Sequence, residues 1–358
     1  PDVIKEGDYI IDMGPGSGKN GGEITFEGTY NELLSSNTST GNALRNKHNL
    51  KENIREANHF YNIGPVTQNN LNNVKTSIPK HVLTVLTGVA GSGKSTLVKA
   101  GFENNDHTIF IDQKAVQGSN RSNLLTYLGV FDSVRSYFSK ETGLNKAMFS
   151  YNSKGACPNC GGKGYIKTEL AFMGDFSQTC EVCHGKRYKQ EVLDATIDGY
   201  SIADVLNLTV DEGIIFFDKK NDIKSKLQSV SKTGLNYMSL GQPLSTLSGG
   251  EIQRVKLGQH LDEEIKNSIF IFDEPTTGLH ESDIPILMEC FDDLIDQNNT
   301  VILIEHNLSI MCEADWIIDV GPGPGLDGGK VQFSGTPKNF IDSSETLTSK
   351  HLKRYIKQ

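Results

Sequence analysis

An apolar run that ends in a glycine loop and then opens a helix constrains this chain more than any other stretch. It reads HVLTVLTGVAGSGKSTLVKAG over residues 81–101. Gly88, Gly93, Lys94 and Ser95 fill the spacing G-x-x-x-x-G-K-[ST], with Gly91 inside the loop and Thr96 directly after it. Glycines at those places let successive backbone N–H groups converge on phosphate oxygens, and the positive N-terminal end of the following helix adds to the same site. Lys94 is expected to reach the β- and γ-phosphates, and the Ser95 hydroxyl to ligate Mg²⁺. The flanking strand and helix are the context this spacing needs, so an α/β core around a nucleotide is predicted. A near-miss lies at residues 14–20, GPGSGKN. Met13 and Asn20 occupy the places of the first glycine and the hydroxyl, and the segment leads towards a second strand, so a β-turn is predicted there.

SIFIFDEPTTGLH (268–280) reads as a buried strand ending in two carboxylates. Alone, the pair could be an acidic strand end before a helix cap. Beside the glycine loop, Asp273 is expected to hold Mg²⁺ and Glu274 to polarise the attacking water, since phosphoryl transfer to water depends on positioning and charge neutralisation. A third element is TLSGGEIQRVKLGQHL (246–261), in which Ser248, Gly249 and Gly250 open a helix and form a second anion site.

With LSGGE in place, the chain resembles the ABC-type ATPases, in which the signature of one module caps the ATP held by another. The resemblance implies further roles. Gln113, in IFIDQ, looks like the Q-loop glutamine that senses Mg²⁺ and water. His306, after the strand VILIE, looks like the switch histidine, and TTGLH (276–280) looks like the D-loop. Taken alone, His306 would be an ordinary strand-end histidine.

Four of the six cysteines form two C-x-x-C pairs, Cys157 with Cys160 and Cys180 with Cys183, separated by 19 residues and each followed closely by glycine. Two such knuckles suit a tetrahedral Zn²⁺ site, and four thiolates close its coordination sphere, so the site is expected to be structural. Cys290 and Cys312 are expected to be small buried hydrophobes. Across 135–190, nine Lys and Arg stand against four acids, in a chain whose net charge is −9. Aromatic residues are interleaved with them. Two readings stay open, a nucleic-acid contact and a solvated face on a small structural insert. No run approaches the length of a membrane span.

The strings LNYMSLGQPLSTLSGGE, CEVCHGKRY and EHNLSIMCEADWIIDVGPG, together with the zinc spacing, closely resemble the second ATPase module of the UvrA family. The resemblance covers nearly the whole chain. It implies a cytoplasmic ATPase that binds damaged double-stranded DNA in nucleotide excision repair, with ATP, Mg²⁺ and Zn²⁺. It also implies a homodimer of the full-length protein and a UvrB-like helicase partner engaged through the first module, with no membrane. Lys163, Lys186 and Arg187 become phosphate-contact candidates. Leu124 stands where the family usually carries proline, and 140–155 is short for the family. A paralogue serving resistance to DNA-binding drugs is therefore an alternative, and a transporter ATPase subunit a more distant one.

Residues 9–29, YIIDMGPGSGKNGGEITFEGT, return 307 positions later as WIIDVGPGPGLDGGKVQFSGT (316–336). The second copy follows a full set of nucleotide motifs and the first follows none. The chain opens at Pro1, and residues 1–45 are expected to be the tail of a preceding module, with 31–53 a polar linker. The remaining divisions expected are 46–120 and 246–358 for the two halves of the ATPase core and 121–245 for an inserted helical signature domain carrying the four-cysteine zinc module.

Overall fold

The β-branched runs singled out in the sequence pair with one another in the computed structural model. Their order across one six-stranded sheet is Lys330–Gly335, Trp316–Gly321, Leu83–Gly88, Thr300–Ile304, Ile269–Asp273 and Thr108–Ile111. All pairings are parallel except that of Trp316–Gly321 with Lys330–Gly335. The structure describes every residue except 1, 17, 19, 20, 47, 48, 115–121, 171–173, 264 and 358. Ser17, Lys19 and Asn20 of the near-miss turn thus lie outside the described residues.

The sheet is buried on both faces, which is why its strands are continuous apolar runs rather than alternating ones. Leu83, Val85, Phe270, Phe272, Val301 and Leu303 face one side, packed on Ile284, Leu287, Phe291 and Leu294 of the helix Ile284–Asp296. Leu86, Ile269, Ile271, Ile302 and Ile304 face the other, packed on Leu97, Val98 and Phe102 of the helix Lys94–Phe102. Each fully buried aliphatic or aromatic side chain contributes about 1.5–3 kcal/mol, so the strands that carry the nucleotide motifs are also the most strongly held.

Two units divide the chain: Pro1–Lys114 with Ser248–Gln358, and Ala115–Leu247. The expected borders stood at 120/121 and 245/246. Ser248 falls with the core because the helix it caps, Gly249–Leu261, is tied there. Gln253 Nε2 donates to the carbonyls of Ile111 (3.3 Å) and Asp273 (2.6 Å). The second unit contains the four cysteines, a two-stranded ribbon (Tyr165–Leu170 with Gly174–Thr179) and short helices, among them Phe131–Thr142 and Asn221–Val230.

Both copies of the repeat fold alike. Ile10–Gly14 pairs with Glu23–Gly28, and Trp316–Gly321 with Lys330–Gly335. Both pairings are antiparallel and have a register shift after the aspartate, Asp12 or Asp319. A threonine-capped helix follows each. The stretch 31–53 is not a plain linker. It holds the helices Tyr30–Ser35 and Ser39–Arg45, because Thr29 with Glu32 forms a capping box and Thr38 accepts from the Gly41 N–H. Such caps satisfy the backbone donors that an open helix start would leave bare.

Candidate nucleotide and metal sites

The glycine loop lies at the end of Leu83–Gly88, and three of its glycines take positive φ: Gly88 at 129°, Gly91 at 74° and Gly93 at 102°. A cavity of about 290 Å³ opens over it, lined by Gly91, Gly93, Lys94, Ser95 and Thr96 on one side and by Glu274 and His306 on the other. Lys94 is buried, its Nζ donating to the carbonyls of Gly88 and Val89 at 3.0 Å each. Burial lowers its pKa, and the carboxylates of Glu274, Asp319 and Asp273 oppose that shift.

Ser95 Oγ lies 3.4 Å from Asp273 Oδ1. A hydroxyl and a carboxylate side by side at the mouth of a phosphate loop fit a hard divalent cation that takes oxygen ligands. Glu274 has a φ of 52°, left-handed for a residue with a side chain, and its N–H donates to the Ile304 carbonyl at 2.9 Å. Gln113 Nε2 donates to the Glu274 carbonyl at 3.2 Å. His306 Nε2 is 3.5 Å from Glu274 Oε1. Burial lowers the His306 pKa, the Lys94 charge lowers it further, and the nearby carboxylates only partly offset this. A largely neutral imidazole can donate one N–H and accept at its other nitrogen.

Two residues escaped the sequence reading. Glu305, buried beside His306, accepts from Thr276 N and Oγ1 (2.9 and 2.6 Å) and from His306 N (3.0 Å), fixing the loop after the strand Ile269–Asp273. Its place between the strand VILI and His306 was the available signal. Asn70, at a hairpin tip between Phe60–Gln68 and Leu71–Pro79, lines the cavity as well, and no motif marked it.

Ser248 caps the signature helix through a reciprocal box with Glu251. A Cβ on Gly249 would lie 3.0 Å from Gln113 Oε1, and one on Gly250 would lie 2.6 Å from the Thr277 carbonyl oxygen. The double glycine thus lets the signature press against the loops that carry Gln113 and Thr277. Ser248, Gly249 and Gly250 do not line the cavity over Lys94.

In the second unit, the Sγ atoms of Cys157, Cys160, Cys180 and Cys183 lie within 4.8 Å of one another, all four buried and none in a disulfide. Cys157–Cys180 and Cys160–Cys183 stand at 4.0 and 3.7 Å. Sulfurs about 2.3 Å from a tetrahedral zinc would be about 3.8 Å apart, so the donor set fits that ion. Gly164 N and Asn159 Nδ2 donate to Cys160 and Cys180 sulfur at 3.2 and 3.3 Å. The Asn159 bond lowers the Cys180 pKa and favours its thiolate. Of the interleaved aromatics, Phe138, Phe149, Tyr151 and Tyr188 are fully buried core. Lys186 pairs with Asp204 at 3.5 Å, Arg187 stacks on Tyr151 at 5.3 Å, and Lys163 is exposed.

A glycine cradle, a Ser–Asp pair, a strand-end glutamate, a histidine and an LSGGE helix on one mainly parallel sheet define an ABC-type ATPase domain. The chain belongs to that family, whose model, described as ABC transporter, matches residues 71–277. Within it the chain stands with the UvrA proteins. It is 42% identical over 99% of its length to UvrABC system protein A of Clostridium perfringens, and 40% identical over its whole length to that of Bacillus subtilis. It superposes on UvrA2 from Deinococcus radiodurans with a TM-score of 0.91, at 38% identity over 99% of this chain and 47% of that one. The chain spans 42% of the length of the Clostridium relative. No helix of the described residues is long and apolar enough to cross a membrane.

Proposed function

We propose that this chain is the second ATPase module of a UvrA-type protein that uses ATP while recognising damaged duplex DNA for nucleotide excision repair. The observation that carries the reading is the convergence of Lys94, Ser95, Asp273, Glu274, Gln113 and His306 on one loop cluster, reached from four separate strands. Ser95 and Asp273 would hold Mg²⁺, Glu274 would orient the attacking water, and His306 would contact the γ-phosphate. The four cysteines would hold Zn²⁺ as a structural ion. Ser248, Gly249 and Gly250, which do not line the cavity, would cap a nucleotide bound by another module.

Residues 1–45 would be the end of that preceding module. Their hairpin repeats the one at 316–335, yet Ile11, Met13 and Ile24 are more than half exposed where Ile318 and Val320 are buried against the central sheet. The full-length homodimer, the UvrB-like helicase partner and the cytoplasmic setting follow from the family resemblance. The UvrABC system names of the curated relatives favour repair over drug resistance, and the four-thiolate cluster sets the chain apart from transporter subunits.

Glu274→Gln tests the reading. It should bind Mg-ATP normally and lose about 10²–10⁴-fold in turnover, the usual contribution of a positioned base. Wild-type turnover in that variant would remove Glu274 from its role.

A further inference from the structure

The glycine loop does not stand free. It rests on the turn 321–329, GPGPGLDGG, which belongs to the sequence repeat and to no nucleotide motif. Gly325 N donates to the Gly91 carbonyl at 3.1 Å, and Gly329 N donates to the Ser92 carbonyl at 2.9 Å. Asn70 completes the contact from the hairpin tip, its Nδ2 donating to the carbonyls of Gly91 (3.3 Å) and Gly325 (3.0 Å). Beside it, Asn69 Nδ2 donates to Thr96 Oγ1 at 3.2 Å, the hydroxyl that follows Ser95. These bonds hold the Gly91 and Ser92 carbonyls of the glycine loop against the turn.

The packing admits no side chain. A Cβ on Gly329, whose φ is 73°, would lie 2.1 Å from the Asn70 carbonyl oxygen. One on Gly328 would lie 3.0 Å from Ser92 Cα, and one on Gly88 would lie 1.9 Å from the Val320 carbonyl oxygen. Described glycines of the first copy share part of this geometry. In the first copy, where Lys94 and its loop have no counterpart among the described residues, Gly21 N donates to Gly18 O at 3.2 Å, as Gly328 N does to Gly325 O at 3.0 Å. Gly22, the counterpart of Gly329, has a φ of 87°. These described glycines thus take the same conformation in both copies.

We infer that the turn 321–329, with Asn70 as its clasp, is a brace that pre-forms the phosphate-binding conformation of the glycine loop. Asn70 and Gly329 are on this account positioning residues for nucleotide binding. A loop held in its bound shape does not bear the ordering cost when the ligand arrives, so the brace acts on affinity and not on the chemical step. The inference rests on the ATP-site reading proposed above.

The test is titration of the chain with Mg-ATP alongside steady-state turnover, on wild type, Lys94→Ala, Asn70→Ala and Gly329→Ala. Asn70→Ala removes two side-chain hydrogen bonds without disturbing the backbone and should raise Kd and KM about fivefold or more, with turnover at saturation retained. Gly329→Ala should weaken affinity further. Melting temperature and the cysteine cluster's metal content report whether it still folds, and Asn70→Ala carries the test if it does not. Wild-type affinity in Asn70→Ala would overturn the brace while the ATP site stood, as would a fall confined to turnover at saturation. If wild type and Lys94→Ala bound Mg-ATP equally, the site reading itself would fail, and the brace with it.

Discussion

His306 shows how the site sets the chemistry of a single residue. Half-buried beside the Lys94 ammonium, it meets two effects that oppose protonation, and Glu274, Glu305 and Asp273 do not outweigh them. Its folded-state pKa therefore lies below the ordinary value of 6.5, so the unfolded chain takes up that proton first on acidification. The associated stability is fully present above 6.5 and declines as the pH falls through that value. An NMR titration of the nucleotide-free chain should place the His306 midpoint below 6.5, and Lys94→Ala should raise it. A midpoint at or above 6.5 would show that the carboxylates dominate. Cys312 shows the reverse case of a group the chemistry does not use, since burial pushes its thiol up to about 12. It serves as packing, as expected from its isolation in the sequence.

At the scale of elements, the motif-bearing segments were legible because their residues are dictated by chemistry. The apolar run opening 81–101 forms the strand Leu83–Gly88, the one opening 268–280 forms Ile269–Asp273, and the helix Ile284–Asp296 follows it. Apolar continuity marks a strand buried on both faces, and the spacing of Ile284, Leu287, Phe291 and Leu294 marks a helix with one buried side. The hairpin tip at Asn70 and the helices within 31–53 were not legible. Their roles depend on which backbone carbonyl or N–H lies opposite a side chain, and composition does not encode that. Interleaving of aromatics with lysines near the cysteines left two readings open, and burial of Phe138, Phe149, Tyr151 and Tyr188 removes those four from any exposed contact surface. The knuckles themselves give a sharp expectation. Metal analysis should return about one zinc per chain, and chelation should lower the melting temperature, because binding to a four-thiolate site contributes to folding. A metal-free preparation with unchanged melting would contradict the structural-ion role.

For the molecule as a whole, the repeat gives the organisation its logic. One copy completes the central sheet beside the glycine loop through Trp316–Gly321, and the other forms a separate two-stranded sheet. The first copy nevertheless touches the second copy's ATPase core. Thr40 Oγ1 donates to Asp12 at 2.8 Å and lies 3.1 Å from His280 Nε2, at the end of the loop that begins with Asp273 and Glu274. On the proposed two-module reading, the tail of the first module lies against the loop 273–280 of the second.

The central claim is that a triphosphate with its Mg²⁺ is held by the loop around Lys94, and calorimetric titration of the chain with a non-hydrolysable ATP analogue tests it most directly. Lys94→Ala removes a charge-assisted contact and should weaken binding about tenfold to a hundredfold. Equal affinity for the wild type and Lys94→Ala would contradict the account.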